Sequence, residues 1–532
     1  MMNKAFNSIT QNLRVFWANP VVVRDLRVRM RGSKTYWNQA FYLIILSLVA
    51  LAGYATTVGR ESSPDGSYSI VDLQYQLAGF YYYIFVTLAT LLCFIAPALT
   101  AAAITSERQR LTLDLLVTTP LTFTQLLVGK LLSSVAFLLL LLALSLPGSV
   151  LCILLGGATL GQVFQTYLLL ALDSLLLATL GIYYSCSMQK SNSALAWTYG
   201  ATVLFVIVTA VLGSFATFGG YSSGTGSPML ILGSLNPFLA IFVGSATFEV
   251  AGKSIPLWVG TVLYAFFLIR LLLTAASYRM GNFGGNPIAS LRRQLLLVIA
   301  ITLSLAFWGS SGASVWGAGG FAVASGIRSS TSAFTFVLSS LVWFFFCCMP
   351  FLPSLFTPTY NEENAENQVF SSYRIRKAFS TDHSGALPYF HLLFATVTLV
   401  VLGARYYSAG FPSLTDWGQI AVALYYISAL GFLFWAIARR ASGWFRAASG
   451  ARSVAFGAYI LLSVAPFVFV DYSTTSAPPA EEAFYLKFWL FYPSIQRTDS
   501  KMLSSCLIAG TILYLLGTLI YPFWWKVKQK RA

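Results

Sequence analysis

The residues best placed to do specific work lie in one stretch, SERQRLTLDLLVTTPLT, positions 106–122. Glu107, Arg108, Arg110 and Asp114 carry charge, while Leu111, Leu115 and Leu116 form an apolar edge at helical spacing. Glu107–Arg110 and Arg110–Asp114 are in i,i+3 and i,i+4 register, which supports a helix. The pattern predicts a short amphipathic helix that stops at Thr119, because Pro120 disfavours the α conformation of the residue before it. Thr122 and Gln125 then read as a capping box opening the next helix. From the residues alone two readings stand side by side: an interfacial helix with no partner, and a docking surface for another protein.

Three further candidates lie outside that stretch. Between Pro20 and Lys34, Arg24, Arg27 and Arg31 share one face of a helix, with Val23, Leu26 and Met30 on the neighbouring one. That is a basic amphipathic helix suited to the plane of a membrane interface, with Pro20 in its first turn. Asp173 interrupts the apolar run LLLALDSLLLATL. An acidic group within such a run lines a cavity, pairs with a polar group or takes up a proton, and a helix–helix contact is the reading favoured here. Arg270 lies in another apolar block, close enough to its end to snorkel.

The chemistry excluded is as informative. No phosphate-cradling loop occurs: Gly129-Lys130 is followed by Leu131, with no glycine-rich loop before it. No nucleophile elbow or SxxK pattern is present, so no catalytic residue is assigned. His383 and His391 form no HExxH, and the six cysteines (Cys93, Cys152, Cys186, Cys347, Cys348, Cys506) sit in or beside apolar blocks without ligand spacing. No metal site and no cofactor is expected in this chain.

The elements that position these residues follow from composition. Of 532 residues, 57% are hydrophobic and only 9% charged, against roughly 25% charged in soluble domains. Apolar blocks of membrane-crossing length fall at about 36–58, 77–104, 126–155, 161–187, 194–217, 254–276, 294–312, 332–356, 389–407, 416–438, 453–471 and 502–525. Each must satisfy its backbone internally, so each is expected to be helical. The expected fold is therefore an all-α polytopic membrane protein of about 12 transmembrane helices. With the N-terminus inside, 25 of the 33 Lys and Arg residues fall on the cytoplasmic side and seven outside, with Arg270 inside the sixth span. This asymmetry places both termini in the cytoplasm. The net charge of +16 is then topogenic and lipid-facing, and no nucleic-acid partner is expected. The segment 236–250 is too short to cross comfortably and reads as re-entrant or interfacial.

The domain plan is a cytoplasmic or interfacial segment at 1–35, a six-span region at 36–276 containing the 106–120 helix, a cytoplasmic linker at 277–293, and a second six-span region at 294–532 of unassigned role.

The 106–122 stretch resembles the signature of type-2 ABC transporter permeases, carried here by Ile104, Glu107, Arg108, Thr112, Leu113, Asp114, Leu115, Leu116, Thr119, Pro120, Leu121, Gly129 and Lys130. A glycine is usual in that family where Leu111 stands, and Glu is commoner than Asp at position 114. The resemblance covers about residues 15–276. It implies that 106–120 is the coupling helix docking on a separate ATPase, through Glu107, Arg108, Leu111, Asp114, Leu115, Thr119 and Pro120. It implies equally that the Arg24, Arg27 and Arg31 segment is the elbow helix before the first span. The expected function is the permease subunit of an ATP-driven exporter working by alternating access, with ATP bound by the partner subunit. The expected partners are ABC ATPase subunits, a homodimer mate or second permease chain, and the lipid bilayer. The expected place is the plasma membrane, a bacterial inner membrane. The alternatives are an ion-coupled twelve-span secondary transporter and a membrane-embedded enzyme or assembly protein.

Overall fold

The computed structural model describes residues 20–30, 33–57, 70–111, 123–154, 156–218, 230–243, 246–250, 253–280, 288–311 and 500–520, with isolated helical positions between 389 and 437. It divides into two compact units, Met1–Pro287 and Ile288–Ala532.

In the first unit, a short helix α1 (Pro20–Met30) precedes α2 (Ser33–Thr57) and the long α3 (Ile70–Ala101). After a turn comes the five-residue α4 (Thr105–Gln109), then α5 (Phe123–Leu144), α6 (Leu146–Leu154), α7 (Leu160–Ser187) and α8 (Ser191–Phe218). Two short helices, α9 (Leu230–Gly233) and α10 (Leu239–Val243), lead to an antiparallel hairpin of β1 (Thr247–Val250) and β2 (Lys253–Pro256), and α11 (Leu257–Arg279) closes the unit. Among the described residues, six helical stretches are long and apolar enough to cross a membrane: Tyr36–Thr56, Ala78–Gln109, Gln125–Leu154, Leu160–Ser187, Ser191–Ala210 and Leu257–Arg279. They coincide with the first six expected spans to within a few residues at most ends. The exceptions are the C-terminal end of the second, which runs on through α4, and the late part of α8, where the helix itself continues to Phe218.

The core is organised around α7, which packs most extensively on α11 and α3 and also touches α5 and α8. The reason is in its sequence: apolar and small residues cover its full circumference, so it has no face to give to solvent. Its start is fixed by a capping box. Thr159 Oγ1 accepts from Gln162 N at 3.3 Å, and Gln162 Oε1 accepts from Thr159 N at 3.0 Å. Small residues let the helices approach. A Cβ on Gly181 of α7 would fall 1.9 Å from Thr100 Oγ1 of α3, so glycine permits that crossing.

The hairpin at 247–256 and the helical turns at 230–243 replace the single re-entrant piece expected at 236–250. Asn236 explains the break: its Oδ1 accepts from Phe238 N (2.9 Å) and Leu239 N (3.2 Å), capping α10. Its Nδ2 donates to Val206 O (2.7 Å) and Thr209 Oγ1 (3.1 Å), tying the segment to α8.

In the second unit, α12 (Ile288–Ser311) and α13 (Ser500–Ile520) occupy positions where spans were expected. Arg292 is fully buried, its guanidinium lies 5.6 Å from the Tyr389 ring centroid, and Tyr389 OH donates to Arg292 O at 2.8 Å. The isolated positions from Tyr389 to Ile437 are all helical. The spans expected at 332–356 and 453–471 lie outside the described residues.

Candidate functional site

The helix expected over 106–119 is shorter than its pattern suggests. After α3 ends, backbone bonds Ser106 N to Ala102 O and Arg108 N to Ile104 O (both 3.0 Å) carry the helical path across the turn into α4. The path then stops, because Leu111 adopts φ 58°, a left-handed conformation that costs a non-glycine residue about 1–2 kcal/mol. This corrects the expectation of one continuous helix: Leu111 is no part of its apolar edge but the residue that ends it, 77% exposed. It is also the position where the permeases this stretch resembles commonly carry glycine, the residue this backbone favours. Asp114, Leu115, Thr119 and Pro120 lie outside the described residues, as does Thr122 of the expected capping box.

Glu107 and Arg108 point inward to the chain's own helices. Lys130 Nζ of α5 donates a short hydrogen bond to Glu107 Oε1 and lies 3.1 Å from Asp25 Oδ2 of α1. Arg24 Nη2 reaches Asp25 Oδ1 at 3.1 Å and Glu107 Oε1 at 3.4 Å. The four residues form a two-plus-two ion cluster across α1, α4 and α5. Lys130 is its inner cation at 9% exposure, the two carboxylates are at 14%, and Arg24 is the outer cation at 51%. A lysine so nearly buried needs compensating charge, and two carboxylates supply it.

Arg108 works on a different neighbour. Its Nη1 donates to Met188 O at 2.8 Å and its Nη2 to Cys186 O at 3.4 Å. These are carbonyls at the C-terminal end of α7, where a cation meets the negative end of the helix dipole. Ser185 Oγ accepts from Ile104 N (2.9 Å) and Thr105 N (3.2 Å). At the start of α8, Ser191 Oγ donates toward Thr105 Oγ1 (3.1 Å) and Gln109 Oε1 (2.9 Å). Nearby, Arg279 at the end of α11 lies over the Tyr183 ring at 6.0 Å and reaches its hydroxyl at 3.4 Å. One five-residue helix thus touches α1, α5, α7 and α8 through polar bonds at a single end of the bundle, called here the hub.

Two hub residues, Asp25 and Ser185, carried no signal in the sequence; Lys130 was visible only as part of Gly129-Lys130. Of the basic trio on α1, Arg24 joins the cluster, Arg27 is exposed, and Arg31 lies outside the described residues. The helix itself forms as expected, with Val22 buried and Val23 and Val28 exposed, and it packs on α5.

Asp173 stands apart from the hub. It lies at the middle of α7 with 1% exposure, and neither carboxylate oxygen has a hydrogen-bond partner among the described residues. The contacts Tyr81–Thr166 on one side and Thr100–Gly181 on the other set the register of α3 against α7. They place the turn Leu88–Cys93 opposite Asp173. The residue is buried within the bundle, and a polar partner is not among those bonds. Among the described residues no group of three or more His, Cys, Asp or Glu is arranged to hold a metal ion.

No curated protein matches the chain. Residues 20–283 match the family described as ABC-2 family transporter protein. That span runs from the first residue of α1 to just past the end of α11, and so takes in the whole hub. Over residues 20–283 the chain belongs to the ABC-2 transporter family, the type-2 ABC permeases.

Proposed function

We propose that the chain is the permease subunit of an ATP-driven exporter, and that α4 with the residues following it passes the motion of a separate ATPase to the bundle. Family membership supports a membrane component of an ABC transporter. The observation that carries the finer reading is the hub: Glu107 and Arg108, two neighbouring side chains, bind three separate elements, α1, α5 and the end of α7. A force applied just beyond Leu111 reaches all of them at once, through bonds rather than through loose loops. In this reading Glu107 and Arg108 transmit inside the chain, while Asp114, Leu115, Thr119 and Pro120 meet the partner. Packed helices of this kind respond as rigid bodies, which suits alternation between inward- and outward-open states.

The hub end is the cytoplasmic side on this proposal, as the distribution of Lys and Arg implies. Twelve spans with both termini in the cytoplasm, assembly as a homodimer or with a second permease chain, and residence in a bacterial plasma membrane belong to the same proposal.

The test separates docking from transmission. The chain is purified in mild detergent, with any co-purifying ATPase identified and its turnover measured. Leu115→Asp should release the ATPase. Arg108→Gln should keep it bound but reduce the response of its turnover to the permease about tenfold. Wild-type capture and turnover in both variants would show that 106–120 is an interfacial segment without a coupling role.

A further inference from the structure

We propose that Arg24 and Arg27 bind the phosphate of an anionic lipid headgroup, and that this lipid competes with Glu107 for Arg24. The inference rests on the reading above only in placing the hub at the membrane boundary.

The two cations of the ion cluster divide its labour. Lys130, nearly buried, touches both carboxylates. It is the cation the interior requires, since removing it strands two acids away from water. Arg24 is half exposed, and its reach to Glu107 is 3.4 Å, longer than the 2.7–2.9 Å typical of charge-assisted bonds. It is the outer member of the cluster, open to exchange. Its guanidinium carries five donors in a planar fork, more than Asp25 and Glu107 occupy in the cluster, and that fork matches a phosphate.

The surroundings fit a lipid rather than a soluble anion. Arg27 is exposed three residues further along α1, on the same side of the helix. Val23 and Val28 are exposed on α1, and Tyr36, Trp37 and Phe41 are exposed on the adjoining first turns of α2. Two cations beside a set of bare aliphatic and aromatic side chains is the arrangement that seats a headgroup above its acyl chains. An exposed basic residue near an anionic surface contributes on the order of 1 kcal/mol, about fivefold in binding. When the phosphate takes Arg24, Glu107 keeps Lys130, so the cluster loosens between α1 and α4 without coming apart. The lipid would then set how firmly the elbow helix follows α4.

The experiment reconstitutes the full chain in phosphatidylcholine vesicles containing a phosphatidylglycerol probe with a photoreactive group near its headgroup, and maps the crosslinks. Labelling should fall on α1. It should drop fivefold or more in R24Q/R27Q, persist in R24K/R27K, and rise in E107Q, where Arg24 has lost its competitor. A phosphatidylcholine probe of the same build should label α1 weakly, and millimolar glycerol phosphate should not compete. Equal labelling in R24Q/R27Q and wild type would overturn the site, as would equal labelling by the two probes. Displacement by glycerol phosphate would show a free-phosphate site instead. Unchanged labelling in E107Q would remove the competition. If added ATPase blocks the probe, the occupant is that protein and the lipid proposal fails. None of these outcomes alters capture of an ATPase by the wild-type chain, so this proposal and the coupling role fail separately.

Discussion

The two ends of the first unit hold together by different chemistry. At the hub neutral bonds from Ser185 and Ser191 are joined by ties that are ionic or charge-assisted: Lys130 between Asp25 and Glu107, Arg108 on the carbonyls of α7, Arg279 on Tyr183. At the other end, where α8, α9, α10 and the start of α11 meet, the ties are neutral. Asn236 makes four hydrogen bonds, the Ser234 and Thr261 hydroxyls sit 2.6 Å apart, and Gly213 lies against Gly233 so closely that a Cβ on the latter would be 2.6 Å from the Gly213 Cα. Neutral bonds and backbone contact have one good geometry, and they fix the elements that make them. A two-plus-two ion cluster has several pairings of similar energy, so it can be rearranged without being lost. The contrast assigns rigidity to the far end and adjustability to the hub.

The comparison breaks most readily at Lys130. Lys130→Met should destabilise the unit by about 3–5 kcal/mol, because two carboxylates lose their inner cation. The measurement is the midpoint of thermal inactivation in detergent. Replacing all three groups, in K130M/E107M/D25L, should recover most of the loss, as apolar replacements of buried ion pairs commonly do. A K130M midpoint equal to wild type would mean that the hub is not held by ions.

A smaller effect is expected at the far end. Asn236→Leu removes two donors and an acceptor from buried partners, at about 2 kcal/mol. Its midpoint shift should not respond to salt, whereas disruption of the outer Arg24–Glu107 contact should matter less as ionic strength rises. Equal salt sensitivity at both ends would erase the distinction drawn here.

The smallest effect concerns Leu111. Leu111→Gly should leave stability unchanged or raise it by up to about 1 kcal/mol, because the left-handed conformation no longer carries a Cβ penalty. Leu111→Val should lower it, since a branched Cβ tolerates that conformation less well. A shift of the opposite sign in both variants would place the end of α4 elsewhere.

How much of this was legible beforehand follows from the range of the interactions involved. The six spans of the first unit could be read because each is a local run of apolar residues, and membrane thickness sets its length. The amphipathic α1 could be read for the same reason. The hub could not. Glu107 meets Lys130 across 23 positions and Arg108 meets Met188 across 80, and no periodicity carries such pairings. Asp25, set in the basic run VRDLRVR, looked like a minor interruption rather than half of a lysine's counter-charge. The early end of α4 was hidden by a helical pattern that continues past it in the sequence, and the glycine usual at position 111 in related permeases was the clue to it. The hairpin had a modest signal in Ala251-Gly252 between two short β-prone segments, overshadowed by the apolar run before it.

The reach of Arg108 across 80 positions to Met188 also sets an order of events at the ribosome. Chains emerge N-terminus first at about 5–20 residues per second, so Arg108 waits roughly 4–16 s before its acceptor carbonyls exist. Glu107 finds Lys130 much sooner, after 23 further residues. The ion cluster is therefore available to anchor α1 and the first three long helices while α7 is still being made, and the ends of α7 and α8 join a platform already built. A nascent chain that has exposed all of α5 but not yet Ser185 should already hold α1 against α5, and one that has not exposed Lys130 should not.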